Sequence, residues 1–432
     1  MKVRQDNNIN NKEVLNDQHR ERRRSMKPGI WTLLMALSLI IVSFEPALAE
    51  GEKKPLKEIL FDKGTLTTDE AASVQEAKLS KWVERITLSG DLRLRHESFW
   101  KDPVADRHRQ RFRLRIAADT KIEQFMVGIR LASGTGEQVS TNQSFDNLGG
   151  QKAIWIDRAF LSWQGSETKW LKLTGGRMAN PFFTVYSSDA VWDDDFNPEG
   201  FAENFNFKLN DNFALILNTG QIVLDEDSGD NNDQWMFGEQ VGINMSPAKD
   251  VKTTLAVAYY DFINTNKSTF GQAVANSGNT RTGAAPGTLV NDYNVLDVTA
   301  QVGMKAGRLP VSLMGDYVRN MADPITTSGA ESGDTGYQVG LILGKASDPH
   351  TWEVAYFYKV LETDATVADV ADSDFGDGGT DRRGHIIWGA YNLTKYLQLK
   401  TKFFNTKRES ETDNPSTKDD IDRLQVDLVM KF

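Results

Sequence analysis

From residue 85 to the end of the chain, apolar and polar residues alternate with a period of two. In ITLSGDLRLR (86–95), Ile86, Leu88, Leu92 and Leu94 alternate with Thr87, Ser89, Asp91, Arg93 and Arg95. RQRFRLRIA (109–117) sets Phe112, Leu114 and Ile116 against Arg111, Arg113 and Arg115. The final RLQVDLVMKF sets Leu424, Val426, Leu428, Met430 and Phe432 against Gln425, Asp427 and Lys431. Such alternation is that of a strand with one apolar and one polar face. It predicts sixteen strands, at 85–99, 107–119, 124–133, 154–163, 170–178, 201–209, 213–223, 234–245, 251–262, 294–305, 310–320, 336–345, 352–361, 383–392, 397–408 and 423–432. WIDRAFLSW (155–163) fits either face, which leaves Arg158 ambiguous, and Glu203 and Glu239 fall on apolar faces, which suggests bulges or a rim position.

The connections decide what the apolar face touches. They alternate in length: short at 120–123, 164–169, 210–212, 246–250, 306–309, 346–351 and 393–396, and mostly long between those. Short turns at one end and long loops at the other are the mark of an all-β transmembrane fold: a closed antiparallel outer-membrane β-barrel, apolar face to lipid and polar face to water. A soluble sandwich has no reason to sort its loops by end. An even strand number leaves both ends of the barrel on the short-turn side.

The segment before the strands differs in character. Residues 20–27 are basic, 30–44 are apolar, and Ala47-Leu48-Ala49 is a small-residue cleavage site, so 1–49 reads as a cleaved signal peptide, with Met26 as a second candidate start. In 50–84, Leu56, Ile59 and Leu60 share a helical face ending at Gly64, and Thr67 with Glu70 fits a capping box. This predicts a short periplasmic helical segment, followed by the barrel over 85–432.

Composition narrows the chemistry. The 432 residues contain no cysteine, which excludes disulfides, zinc–thiolate sites and thiol catalysis. The net charge is −10. Removing 1–49, with 8 basic and 5 acidic residues, leaves 42 against 55, a net of −13. Nucleic acid is therefore not an expected partner. Trp163, Trp170, Phe213, Trp352, Tyr396 and Phe432 sit at short-turn ends, where an aromatic girdle would meet the lipid interface. Outer-membrane lipid and lipopolysaccharide are the partners this implies. No cofactor and no metal site is expected.

GDLRLRHE (90–97), RQRFRLRIAADTKI (109–122), RLASGTG (130–136), STNQSFDN (140–147) and GGRMANPFF…VWDDDFNPEGF (175–201) resemble the bacterial putative-porin family of Gram-negative outer membranes. The resemblance spans the chain from the LTTDEA segment onward and is strongest over 85–201. It implies a barrel that passes small hydrophilic solutes and ions. It also implies that the third long loop, 179–200, folds inward, that the C-terminal Phe432 addresses the barrel-assembly machinery, and that the chain forms a homotrimer.

The residues suggest how such a pore would work. Arg93, Arg95, Arg109, Arg111, Arg113, Arg115 and Arg130 lie on polar faces of the first three strands, joined by Lys400 and Lys402. Facing lipid, each would cost about 2–4 kcal/mol near the midplane, so they should form a pore-lining basic wall. Asp189, Asp193, Asp194, Asp195 and Glu199 make the third loop an acidic constriction opposite that wall. Residues 225–233, 362–381 and 409–420 hold 17 Asp/Glu and one Lys, and read as a solvated outer surface. Two other functions stay open: a structural or adhesive barrel with a blocked lumen, and an outer-membrane barrel enzyme. His96, His108, His350 and His385 lie in no recognisable nucleophile motif, so no enzyme activity is expected. The predicted strands leave only 35 residues for a plug, too few for a globular one.

Overall fold

A computed structural model describes residues 85–101, 104–186, 188–229, 231–270, 278–410 and 419–432. The expected signal peptide and the helices of 50–84 lie outside the described residues.

One sheet of 17 strands contains a two-residue strand, Gln143–Ser144, and sixteen long ones. In chain order these are β1 Ile86–Lys101, β2 Arg107–Ile122, β3 Phe125–Ser133, β4 Ile154–Trp163, β5 Leu171–Arg177, β6 Glu199–Lys208, β7 Phe213–Asp225 and β8 Gln234–Ala248. They continue with β9 Val251–Ile263, β10 Tyr293–Ala306, β11 Leu309–Asn320, β12 Thr335–Gly344, β13 Trp352–Leu361, β14 Arg382–Asn392, β15 Leu397–Lys407 and β16 Ile421–Lys431. Each pairs antiparallel with its sequence neighbour, and β1 closes the ring on β16 from Asp91↔Lys431 to Lys101↔Ile421. Closure is completed by Gly90 and Phe432, which exchange backbone hydrogen bonds of 2.9 and 3.0 Å. The closed ring leaves no sheet edge, which is what a barrel in lipid requires.

The alternation settles into two faces. Outward side chains are exposed and apolar: Leu94, Ile129, Val257, Val298, Val339 and Ile387. Inward side chains of the same strands are buried, among them Asp91, Arg95 and Glu97 on β1. Trp163, Trp170, Phe213, Trp352, Tyr396 and Phe432 lie at or beside the short-turn ends of strands, and Trp170 stacks with Phe205 and Phe207 at 6.1 and 5.3 Å.

Two local features correct the pattern reading. A register shift between Arg130 and Leu131 of β3 lies opposite β4, where Arg130 pairs with Arg158 and Leu131 with Ile156. Asp157 is the extra residue, so Asp157 and Arg158 both point inward while Ile154 and Ile156 stay outside, which removes the ambiguity at Arg158. No bulge occurs at Glu203 or Glu239. Both sit in unbroken ladders, each paired with Thr219, and Glu203 accepts from the Thr219 hydroxyl and, at 3.1 Å, from Gln221.

The packed core lies inside the barrel. Phe182, Ala190, Val191 and Trp192 of the third long loop pack on Ile222, Met236, Tyr260 and Phe262 of β7–β9. Ala365, Val367, Val370 and Ala371 of the seventh long loop, 362–381, join the same cluster. Phe375 packs in a second cluster with Phe357, Ile386, Trp388 and Phe404. Each large side chain buried this way contributes about 1.5–3 kcal/mol, enough to hold loops that carry no ladder. The seventh loop is therefore not the solvated outer surface its acidic composition suggested. Its Asp364, Asp369, Asp372 and Asp381 are all buried.

Candidate functional site

The infolded loops occupy one side of the lumen, and the arginines line the other. Cross-strand register makes the basic wall. Asp91 faces Arg115, Arg93 faces Arg113, Arg95 faces Arg111 and Glu97 faces Arg109 across β1 and β2. Arg130 and Arg158 extend it across β3 and β4. Lys400 and Lys402 continue it on β15, next to β16.

Carboxylates compensate part of this charge. Asp91 accepts from Arg113 at 2.9 Å and from Arg115 at 2.9 Å. Asp427 holds Arg95 bidentately at 2.7 and 2.8 Å. Glu97, fully buried, pairs with Arg109 and Arg423 and lies 3.6 Å from Arg111. Arg130 pairs with Asp157. Arg423, at a polar-face position of the last strand and not among the candidates above, lies beside these arginines, paired with Glu97.

Several of the wall cations also rest on neutral partners. Arg93 donates to Asn142 Oδ1 at 2.5 Å and is 3.9 Å from Asp427. Arg111 donates to the Asn142 carbonyl at 3.3 Å. Arg158 donates to Asn197 Oδ1 at 2.6 Å. Lys400 lies over the Trp388 ring at 4.9 Å, and Lys402 over Phe404 at 4.5 Å and Tyr186 at 5.3 Å. The wall thus has a surplus of positive charge.

The third-loop acids separate into different roles. Asp195 touches the wall, with Arg115 at 3.4 Å and Arg113 at 3.8 Å. Burial would raise its carboxyl, but Arg113, Arg115 and Arg93 outweigh burial and hold it below its ordinary range. Asp194 is exposed within the lumen. Asp193 points away, accepting from Ser373 N of the seventh loop at 2.7 Å, and burial together with Asp194 pushes its carboxyl well up. Asp189 folds back on its own loop, accepting from Val191 N at 3.0 Å and Trp192 N at 2.7 Å. Burial raises it to about 6. Glu199 does not join them. It begins β6 with a 60 % exposed side chain, paired with Arg177 at 2.7 Å.

The seventh loop supplies acids that the pattern reading placed outside. Asp374 pairs with Arg423 at 2.6 Å and Arg95 at 3.4 Å. Although burial opposes ionisation there, Arg423 and Arg95 pull its carboxyl well below the usual range. Asp369 pairs with Arg281, and Asp377 with Lys101 at 2.8 Å. The sequence signal for infolding was present in the apolar Ala365, Val367, Val370 and Phe375 among these acids.

Two cavities flank the wall. An outer cavity of about 640 Å³ is lined by Arg109, Arg111 and Arg423 with Ser373 and Asp374. A second of about 470 Å³ is lined by Arg115, Arg130 and Arg158 with Asp91 and Phe432. Among the described residues, no group of three or more His, Asp or Glu side chains is placed to hold a metal ion.

The family model described as putative porin matches residues 100–286 and 275–432. Among solved structures, the high-pH structure of Pseudomonas putida OprB is 11% identical, covers 82% of this chain and 96% of its own, and superposes with a TM-score of 0.52. Salmonella typhi OmpF in complex with daunomycin is 12% identical over 80% of this chain and 97% of its own, with a TM-score of 0.49. No curated protein matches this chain. At 11% identity the likeness to OprB is one of fold.

Proposed function

We propose that this chain, which belongs to the putative-porin family, forms a water-filled outer-membrane channel for small hydrophilic solutes and ions that favours anions. The observation that carries the reading is the asymmetric lumen. Apolar loops pack on one side, and a wall with more cations than close carboxylates lines the other. Permeating solutes would pass along that wall between the two cavities, with Asp194 and Asp195 of the third loop opposite Arg113 and Arg115. Charge of one sign along a pore attracts the opposite ion and orients polar solutes.

Single-channel recording in a planar bilayer tests this. Discrete conductance steps with a reversal potential on the anion side in a salt gradient are expected. A barrel that inserts without conducting would instead support a structural or adhesive role, a reading favoured by the depth at which the third, fifth and seventh loops pack together. The fifth loop is tied to the seventh by Asn279 Nδ2, which donates to Thr363 and Thr366 carbonyls at 2.8 Å. As further parts of the proposal, the barrel contacts lipopolysaccharide at its rim, uses Phe432 in assembly and associates as a homotrimer, which cross-linking in native membranes would detect.

A further inference from the structure

The outer surface of β1 and β2 carries a polar cluster that the channel does not use. His96 and Ser98 are two residues apart on one strand and so share its outward face. Register sets Gln110 directly beside His96, and His108 directly beside Ser98. His96 Nε2 lies 3.0 Å from Ser98 Oγ, and its Nδ1 lies 2.6 Å from Gln110 Nε2. His108 Nδ1 lies 2.9 Å from the same hydroxyl, and its ring stands edge-on to Trp100 at 6.0 Å.

We infer that Ser98, His96 and Gln110 form a nucleophile–base–orienter triad that cleaves carboxylic esters presented at the outer face of the membrane. Three observations support it. The nucleophile and base are within hydrogen-bonding distance, and the base meets a third group through its other nitrogen, the arrangement that activates serine in unrelated folds. Ser98 is 3% exposed beneath its two histidine neighbours, whereas His108 and Gln110 are open at the surface, where an ester and water can enter. The cluster also sits just above an apolar belt, Leu92, Leu94 and Phe112, with Phe145 and Trp100 beside it. That is the level at which a lipid's acyl ester lies between hydrocarbon and headgroup.

In the triad the Gln110 amide is rotated by half a turn, so that Oε1 replaces Nε2 beside Nδ1; it then accepts the Nδ1 proton and leaves His96 Nε2 free as base. Ser98 Oγ then bonds to the ester carbonyl carbon as its proton passes to His96 Nε2. The carbonyl π electrons move to oxygen, where an N–H of His108 can donate. Collapse breaks the carbon–alkoxy bond, and the alcohol leaves with the proton from His96. Water repeats the sequence on the acyl-serine, so ester plus water becomes acid plus alcohol.

Full-length protein in detergent micelles provides the test, with heat-modifiable electrophoretic mobility as the check of folding. A biotinylated fluorophosphonate is expected to modify Ser98, identified by peptide mass spectrometry. Phosphatidylcholine in mixed micelles and dissolved p-nitrophenyl acetate are compared as substrates. Turnover of either supports the triad, and the preferred one distinguishes a lipid from a soluble ester. Ser98→Ala and His96→Ala should each reduce turnover by about 100-fold or more. Gln110→Ala should lower kcat with KM unchanged, and Gln110→Asn should restore part of it. If Ser98→Ala does not fold, the adduct on the unmodified chain still decides. Folded protein with no Ser98 adduct and no turnover of either ester would overturn the inference, whatever its conductance.

Discussion

Replacing Arg111 and Arg158 together by serine should convert the channel from anion-favouring to cation-favouring. Each guanidinium lines one of the two cavities; Arg158 is held by a neutral oxygen, and Arg111 donates to a carbonyl and lies 3.6 Å from Glu97, which Arg109 and Arg423 already pair. An ion passing about 7 Å from a unit charge in water feels about 0.6 kcal/mol, roughly halved by screening at 0.1 M salt. Two charges then amount to about 0.6 kcal/mol, with opposite sign for anion and cation. The permeability ratio should move by about 1.2 kcal/mol, or roughly sevenfold. Reversal potential in a tenfold potassium chloride gradient reads this directly, and single-channel conductance confirms that the pore persists. A ratio that stays within twofold of the unmodified protein would refute an ion path along the arginine wall, and would place permeation elsewhere in the lumen.

Further outcomes follow from the same geometry. Asp194→Asn should shift selectivity further towards anions, because that carboxylate is exposed in the lumen, whereas Asp193→Asn should leave reversal potential unchanged, because Asp193 is buried against Ser373. Asp189, raised by burial to about 6 from 3.8, binds its proton more tightly folded than unfolded, so its stabilisation is present below pH about 4 and lost as pH rises through about 6. Asp189→Asn keeps the acceptor for Val191 and Trp192 and should raise the thermal midpoint at pH 7.5 but not at pH 4, by at most about 3 kcal/mol of stability; equal effects at both pH values would count against it. Phe375→Ala should cost about 3–5 kcal/mol of packing, release the seventh loop and increase single-channel conductance; an unchanged conductance would show that this loop does not bound the path. Val257→Arg, on the outward face between Val241 and Val298, should cost about 2–4 kcal/mol of folding stability in lipid vesicles, measured by denaturant titration.

The barrel was legible in the sequence because lipid on one side and water on the other impose a choice at every residue. Leu94 between Arg93 and Arg95 has only one tolerable orientation, so strand positions followed from alternation alone. The inward turn of Arg95, Arg111 and Arg113 followed for the same reason: a guanidinium on these strands belongs away from lipid. Only the tertiary structure decided how much of that charge is left over. Glu97 meets Arg423 across 326 residues of chain, and Arg95 meets Asp374 across 279. No local pattern encodes such pairs. The seventh loop shows the limit clearly, because acidic residues look alike whether water or a distant arginine solvates them, and its infolding rests on Phe375 and Val367 finding apolar walls. Arg158 needed the bulge at Asp157, which breaks the period that made the other strands readable. His96, Ser98 and Gln110 likewise carry no sequence signature: two share a strand face, and the third arrives through the register of β1 on β2, which long-range closure of the barrel sets.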